Sequence, residues 1–370
     1  MTLEKKTWRE LLASLDRGMA LVALALFALG LLSIYSATHG TSRADFPYVQ
    51  RQALWGALSL VAFCIVLRIG YEQIYRWSYA IYGSVIALLV LVLVVGHSAK
   101  GAQSWINFGS FRLQPAELGK IALALALSRV AAVHAPVDLK GLFTVLAVAA
   151  GIALPVMMQP DLGTVIVYVA MTYGALIVAR APRRYLTNLA GLALAAVPLG
   201  WTVMKEYQRQ RILVFFNPHI DPLGAGYNVI QSRIAVGSGG LWGKGFLAGT
   251  QSRLNFLPES HTDFIFSVFA EEFGFAGTVA VLLLFGLLIW RIVAVGLTTK
   301  DIRAKVMVAM IAAWIWFQLF ECMAMSVGLA PVTGIPMPLF SYGGSALVSV
   351  SVGLALVQSV YAASRKKYLE

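Results

Sequence analysis

Tyr207-Gln-Arg-Gln-Arg211, Asn217-Pro-His-Ile-Asp-Pro-Leu-Gly-Ala-Gly-Tyr227, Gly237-Ser-Gly-Gly-Leu-Trp-Gly-Lys-Gly245 and Pro258-Glu-Ser-His-Thr-Asp263 share one polar stretch, Lys205 to Asp263, in a chain that otherwise reads as lipid-soluble. An apolar run leads into it and another resumes at Phe264. A bare connector between membrane helices needs only a few residues, so roughly sixty rich in Gly, Arg, His and Asp imply a task.

Composition away from that stretch fixes the class. Hydrophobic residues make up 59 % of the 370 and charged ones 12 %, where a soluble domain carries about 25 % charged residues. The chain therefore belongs in a bilayer. Cys64 and Cys322 both sit in apolar runs and read as small core residues rather than a disulfide or a metal-thiolate site. The basic N-terminus runs into an apolar stretch longer than a signal-peptide core, with further spans behind it, and reads as an uncleaved first helix.

Apolar segments fall near 19–37, 52–68, 75–96, 115–134, 141–159, 161–180, 186–204, 263–291, 305–327 and 342–363, each close to the roughly 20 residues that cross a hydrocarbon core. Unpaired backbone amides cost several kcal/mol in lipid, and the alternation of a barrel is missing, so the spans are helical. The predicted fold is all-α: one polytopic membrane bundle of about ten helices over residues 1–370, with a large extracytoplasmic loop at about 205–263. Loops rich in Lys and Arg stay in the cytoplasm. An inside N-terminus puts Lys5, Lys6, Arg9, Arg17, Arg68, Arg76, Arg129, Lys140, Arg180, Arg183, Arg184, Arg291, Lys300, Arg303, Lys305, Arg365, Lys366 and Lys367 on that side, with both termini. Topology and anionic lipid account for most of the +12 net charge, with no call on nucleic acid. Lys100 to Arg112, Lys205 to Asp263 and Ala330 to Ser341 face outward.

Polar residues with chemical potential cluster at the outer helix mouths. Gln114-Pro-Ala-Glu-Leu-Gly-Lys120 opens a span with Pro in its first turn, and Glu117 and Lys120, three apart, share a face. Asp161 in Gln159-Pro-Asp-Leu-Gly163 occupies an equivalent mouth, and Asp263 enters the eighth span above Glu271 and Glu272. Intramembrane charges are expensive and face a cavity or each other. Plainer readings stand beside these: a structural ion pair for Glu117 and Lys120, helix capping for Asp263, structural roles for Glu271 and Glu272, and a loop or interface place for His261. Gly237 to Gly245 lacks the Gly-Lys-Ser/Thr ending and preceding strand of a P-loop.

Asp221-Pro-Leu-Gly-Ala-Gly-Tyr-Asn-Val-Ile-Gln-Ser232, Gly237 to Gly245, Phe256-Leu-Pro-Glu-Ser-His-Thr-Asp-Phe264 and Pro336-Met-Pro-Leu-Phe-Ser-Tyr-Gly-Gly-Ser345, in this order, resemble the SEDS family (shape, elongation, division and sporulation) along nearly the whole chain. The resemblance implies a peptidoglycan glycosyltransferase of cell elongation that polymerises lipid II at the outer face of the bacterial inner membrane. It implies a catalytic role for Asp263, cavity positions for Glu117, Lys120 and Asp161, and a loop arginine at Arg211. It also implies a class B penicillin-binding protein as partner, among other elongation-complex membrane proteins. Glu321 stands where the family commonly has Asn, which puts the polar lining of that span in question.

The chemistry so implied is one inverting displacement. The 4-hydroxyl of an acceptor GlcNAc attacks the anomeric carbon of a polyprenyl-pyrophosphate-linked donor, and a carboxylate at Asp263 takes its proton. Lys120, Arg112 and Arg211 are candidates to neutralise the departing pyrophosphate, and a divalent cation, Mg or Mn, is a candidate to share that task with Asp263. Two rival functions are a precursor flippase, which calls for inverted repeats with broken helices at the midplane, and a non-catalytic scaffold for the penicillin-binding protein.

Overall fold

A computed structural model describes residues 13–39, 45–99, 102–108, 111–254 and 256–366. The basic residues Lys5, Lys6, Arg9 and Lys367 of the topology argument, and Lys100 of the first outer segment, lie outside the described residues. Ten helices of 17 residues or more occupy the ten apolar segments: α1 (Arg17–Thr38), α2 (Asp45–Ile69), α4 (Ser78–Val95), α5 (Pro115–Val133), α6 (Leu139–Met158), α7 (Leu162–Val178), α8 (Arg183–Val203), α12 (Ile265–Thr298), α13 (Ile302–Val327) and α14 (Gly344–Lys366). The short helix α3 (Tyr71–Arg76) joins α2 to α4.

Seven of these are long and apolar enough to cross a membrane by length and composition alone. The other three are short of that for visible reasons. Helix α5 carries Glu117, Lys120 and Arg129, α7 has 17 residues, and α8 begins with two arginines and turns by 120° into the next helix, α9 (Glu206–Phe216). Helices α5 and α13 form the centre: α5 packs on α4, α6, α7, α13 and α14, and α13 also packs on α7 and α12. Ala122 to Leu127 of α5 are fully buried. Small residues let the helices approach, as at Gly174 of α7, where an added Cβ would stand 3.3 Å from the Ala309 carbonyl of α13. Leu192, Leu194 and Leu199 of α8 and Leu283 and Trp290 of α12 instead point out of the bundle, as lipid-facing positions must.

The expected outer segments hold more structure than loops. Among the described residues of the first segment, β1 (His97–Ala99), β2 (Ala102–Phe108) and β3 (Phe111–Leu113) form an antiparallel sheet, with Ile106 opposite Leu113. The stretch from Lys205 to Asp263 is largely helical among its described residues: α9, a 3₁₀ turn (Pro218–Ile220), α10 (Ala225–Ser238) and α11 (Thr250–Arg253). Helix α10 lies against α12 and α13.

Helix α12 is broken at Gly274 (φ 64, ψ −163), and the break explains the glycine-rich segment. The freed carbonyls of Glu271 and Glu272 accept from the amides of Lys244 (3.0 Å) and Gly245 (2.9 Å). Below the break, the amides of Phe275 and Ala276 donate to Gly240 (2.9 Å) and Leu241 (3.0 Å). These four backbone groups beside the break thus find partners in the loop. A Cβ on Gly243, which sits at φ 82, would stand 2.1 Å from the Glu272 carbonyl. The two acids beside the break are structural in the same way. Buried Glu271 accepts from Lys244 Nζ (2.6 Å), Thr250 N (2.9 Å) and Thr250 Oγ1 (2.9 Å), and Glu272 accepts from the Ser36 hydroxyl of α1.

Candidate functional site

The turn before α12 is immobilised through three successive carbonyls. The carbonyl of His261 accepts from the Tyr342 amide (3.0 Å), that of Thr262 from the Ser341 hydroxyl (2.8 Å) and that of Asp263 from the Cys322 thiol (3.8 Å). Ser341 Oγ also accepts from the Met337 amide (2.9 Å), and Gln52 of α2 donates to the Ser341 carbonyl (3.2 Å) while accepting from the Gly343 amide (3.2 Å). The rings of Tyr48 and Tyr342 pack around His261, at 4.6 and 5.6 Å between centroids. His261 is thus an aromatic-cluster residue. The sequence motifs around Asp263 and Pro336–Ser345 are the two halves of one clamp.

Asp263 itself is half-buried. Helix α12 starts at Ile265 with Phe264 at the N-cap position and no side-chain cap bond there, so Asp263 precedes the first turn rather than lying in it. Beneath it runs the segment 332–335, on which several elements converge. Gly334, at φ 76, places its α-carbon so that an added Cβ would lie 3.6 Å from Asp263 Oδ2. Thr333 donates its hydroxyl to Glu321 Oε1 (2.6 Å), and the other Glu321 oxygen is buried with no hydrogen-bond partner among the described residues. Arg211 of α9 donates to the Val332 carbonyl (3.2 Å). At Gly163 of α7, a Cβ would meet Ile335 at 2.9 Å and the Thr333 carbonyl at 3.2 Å.

Asp161 stands two residues before that contact as the N-cap of α7. It accepts from the Thr164 amide (3.1 Å) and hydroxyl (2.9 Å) and from Gln114 Nε2 (3.1 Å). Gln114 is held in turn by Ser345, which takes its amide (3.2 Å) and donates to the Arg112 carbonyl (3.2 Å). Tyr207, one turn before Arg211, donates to the Pro160 carbonyl (3.3 Å) and lies under the Arg211 guanidinium at 5.8 Å. The exposed Arg112 side chain acts electrostatically on Tyr342. Burial pushes the Tyr342 phenol up, and Arg51 and then Arg112 pull it back.

Glu117 and Lys120 lie a layer deeper. They form an ion pair of 2.5 Å with the lysine fully enclosed, and Lys120 Nζ sits 5.3 Å from the Trp314 ring of α13. The second Glu117 oxygen is buried without a partner among the described residues. Beside the pair, the Tyr168 hydroxyl of α7 donates to the Ala116 carbonyl (2.7 Å). Arg211, Asp263 and Gly163, two residues past Asp161, therefore meet on one loop, whereas Lys120 makes its described contacts with Glu117 and Trp314. Thr333, Gly334, Trp314 and Tyr168 carry no sequence signal of their own: each matters through a partner on another helix.

No group of three or more His, Cys, Asp or Glu side chains with metal-holding geometry occurs among the described residues. Asp263 and Glu321 interact electrostatically, but two carboxylates fall short of a resident metal site, so no step is routed through a cation. Both cysteines are free, as expected.

Residues 16–366 match the family of FtsW, RodA and SpoVE, described as cell cycle proteins. The chain is 39 % identical over 349 residues to the peptidoglycan glycosyltransferase MrdB of Escherichia coli (strain K12), covering 94 % of this chain and 93 % of that one. It is 33 % identical over 370 residues to the stage V sporulation protein E of Bacillus subtilis (strain 168), covering 98 % and 99 %. Among solved structures, a chain of a peptidoglycan synthase complex that coordinates polymerization and crosslinking superposes with a TM-score of 0.81 at 33 % identity, covering 96 % and 99 %. The rod shape determining protein RodA of Thermus thermophilus superposes with 0.71 at 30 % identity, covering 96 % and 98 %.

Proposed function

The chain belongs to the FtsW, RodA and SpoVE family, and from that premise we propose how its outer site carries out glycan polymerisation. The protein is a multi-pass membrane peptidoglycan glycosyltransferase of cell elongation. Lipid II serves as both donor and acceptor. The acceptor GlcNAc 4-hydroxyl attacks the donor's anomeric carbon, the C1–O bond to pyrophosphate breaks with inversion, and the α-linked donor becomes a β-1,4 link. The hydroxyl proton passes to the Asp263 carboxylate, and the polyprenyl pyrophosphate leaves with its negative charge facing Arg211 and Arg112.

One observation carries this reading: the half-buried Asp263 carboxylate stands over a glycine-floored loop that also receives Arg211 and the N-terminus of α7. A carboxylate on an immobile turn, over a loop that also binds an arginine, suits a general base facing a pyrophosphate leaving group. Asp161 borders the substrate path at the N-terminus of α7, and the enclosed Glu117–Lys120 pair supports its floor from the layer below. The partner is a class B penicillin-binding protein, which cross-links the emerging strand. The membrane is the bacterial inner membrane, with the Asp263 end outward.

Purified protein incubated with lipid II, followed by gel analysis of glycan length, tests this. Wild type yields polymer. Asp263→Asn keeps shape and charge-independent contacts, so its melting temperature stays within a few degrees, while polymerisation falls by about 10² to 10⁴. Silence of the wild type, with and without its transpeptidase partner, would favour a flippase or a scaffold. Near-normal synthesis by the Asn variant would remove Asp263 as the base and make Asp161 the next carboxylate to test.

A further inference from the structure

The opposite end of the same central helices holds a second polar construction. Along α13, Glu321 and Arg303 are 18 residues apart, about 27 Å on a helix, and α5 likewise carries Glu117 near one end and Arg129 near the other. Around Arg129 and Arg303 the short helix α3 closes a cavity of about 340 Å³, lined by Tyr71, Glu72, Tyr75, Arg76, Arg129 and Arg303.

Arg303 there is paired with Asp301, and Arg129 is aimed by aromatic stacking. The Tyr75 ring lies between two guanidinium groups, Arg303 at 5.1 Å and Arg129 at 5.7 Å, and Arg129 also lies 4.4 Å from the Tyr79 ring. Arg129 spends Nη1 on the Arg76 carbonyl (3.2 Å) and Ser78 Oγ (3.3 Å), and Arg303 is held by Asp301 (2.9 Å). In these contacts each guanidinium engages only part of its five-donor fork. The acids nearby are Glu72, which hydrogen-bonds the Tyr71 hydroxyl, and Asp301. Three arginines against two carboxylates leave one positive charge. Burial first, then Asp301 and Glu72, push the Tyr71 phenol up to about 12, so it remains a hydroxyl donor.

Depth then narrows the ligand. Arg303 stands in the first turn of α13 and Arg129 just before the last turn of α5, and Trp77 and Tyr79, each 51 % exposed, follow the short helix. Amphipathic aromatic rings settle at the headgroup level of a bilayer. We propose that this cavity binds the phosphodiester headgroup of an anionic membrane lipid in the leaflet opposite the Asp263 end, a single negative charge gripped by planar guanidinium donors.

The full chain, purified in neutral detergent, is titrated with phosphatidylglycerol, with phosphatidylcholine of the same acyl chains and with inorganic phosphate. Thermal midpoint and lipid retained by mass spectrometry are the readouts. Phosphatidylglycerol raises the midpoint saturably and stays bound, while the other two do neither. Arg76→Gln, whose side chain is exposed, keeps the lipid-free midpoint and weakens phosphatidylglycerol by about fivefold, with a larger loss on adding Arg129→Gln. Arg183→Gln, an exposed arginine elsewhere on the basic end, leaves affinity unchanged. Equal effects of the two lipids, or equal losses in Arg183→Gln and Arg76→Gln, would overturn the proposal. Saturation of the shift by inorganic phosphate would do so as well, by making this a solute site.

Discussion

At the scale of single residues, the outer half of the bundle separates groups that hold structure from groups left for chemistry. Asp161 caps α7 and binds Gln114, Glu271 is surrounded by donors, and Glu117 closes on Lys120. The last pair gives a measurable case. Lys120→Met alone leaves a carboxylate enclosed without its cation, a loss of about 3–5 kcal/mol, and the midpoint of the purified protein should fall sharply. Adding Glu117→Gln should recover most of that midpoint without recovering polymerisation, and a double variant that polymerised normally would reduce the pair to a structural role. The pair was legible in the sequence because three-residue spacing on a helix puts side chains on one face. Its third member, Trp314, was not, because nothing in a string of letters relates a residue on α13 to one on α5. The same holds for Thr333: Glu321 stood out as an acid in an apolar run, but the hydroxyl that engages it comes from a loop beyond the end of its own helix.

At the scale of elements, a break in one helix and a run of glycines elsewhere make a single unit. The sequence singles out Gly237 to Gly245 by composition and excludes a P-loop, yet its purpose depends on the backbone angles of Gly274, thirty residues further on, which composition does not report. Not all these glycines are equivalent. Gly243→Ala drives a methyl group into the Glu272 carbonyl at a backbone angle that disfavours side chains, whereas Gly240→Ala, at φ 57, meets open space. Both are strained by their positive φ, by about 1–2 kcal/mol, and only the first must also displace backbone. Thermal melts should therefore rank Gly243→Ala well below Gly240→Ala, and equal melts would mean that the loop does not close on the break. The membrane helices themselves were readable from their apolar length to within three residues at most ends, but α2 begins and α12 ends seven residues beyond the limits read from the sequence. The helical character of the Lys205 to Asp263 stretch was not, since its helices are short and are held by packing on α12 and α13 rather than by a strong periodicity of their own.

At the scale of the whole molecule, polar groups sort to the two ends. Asp16 pairs with Arg291 at 3.2 Å, and its backbone amide and carbonyl bond the Gln358 side-chain amide, joining the start of α1 to α12 and α14. Arg129 and Arg303 gather on Tyr75 at that end, and Asp263, Asp161 and Arg211 meet at the other. The one-sided count of basic residues thus has a physical counterpart in the bundle, and it fixes an expected topology. In a Cys64→Ala, Cys322→Ser background, which keeps a donor toward the Asp263 carbonyl, Leu223→Cys should react with an impermeant thiol reagent from outside intact cells. Arg183→Cys should react only after the membrane is opened, and the reverse pattern would invert the scheme. The clamp on the His261–Asp263 turn has a meaning at this scale too. Three distant parts of the chain, α2, α13 and the 336–345 segment, fix the backbone that carries the carboxylate, leaving it only its own side-chain torsions to explore. The entropy of aiming it is therefore surrendered once, when the bundle assembles, and not again at each sugar added, where preorganised geometry is worth up to about 7–11 kcal/mol of a barrier.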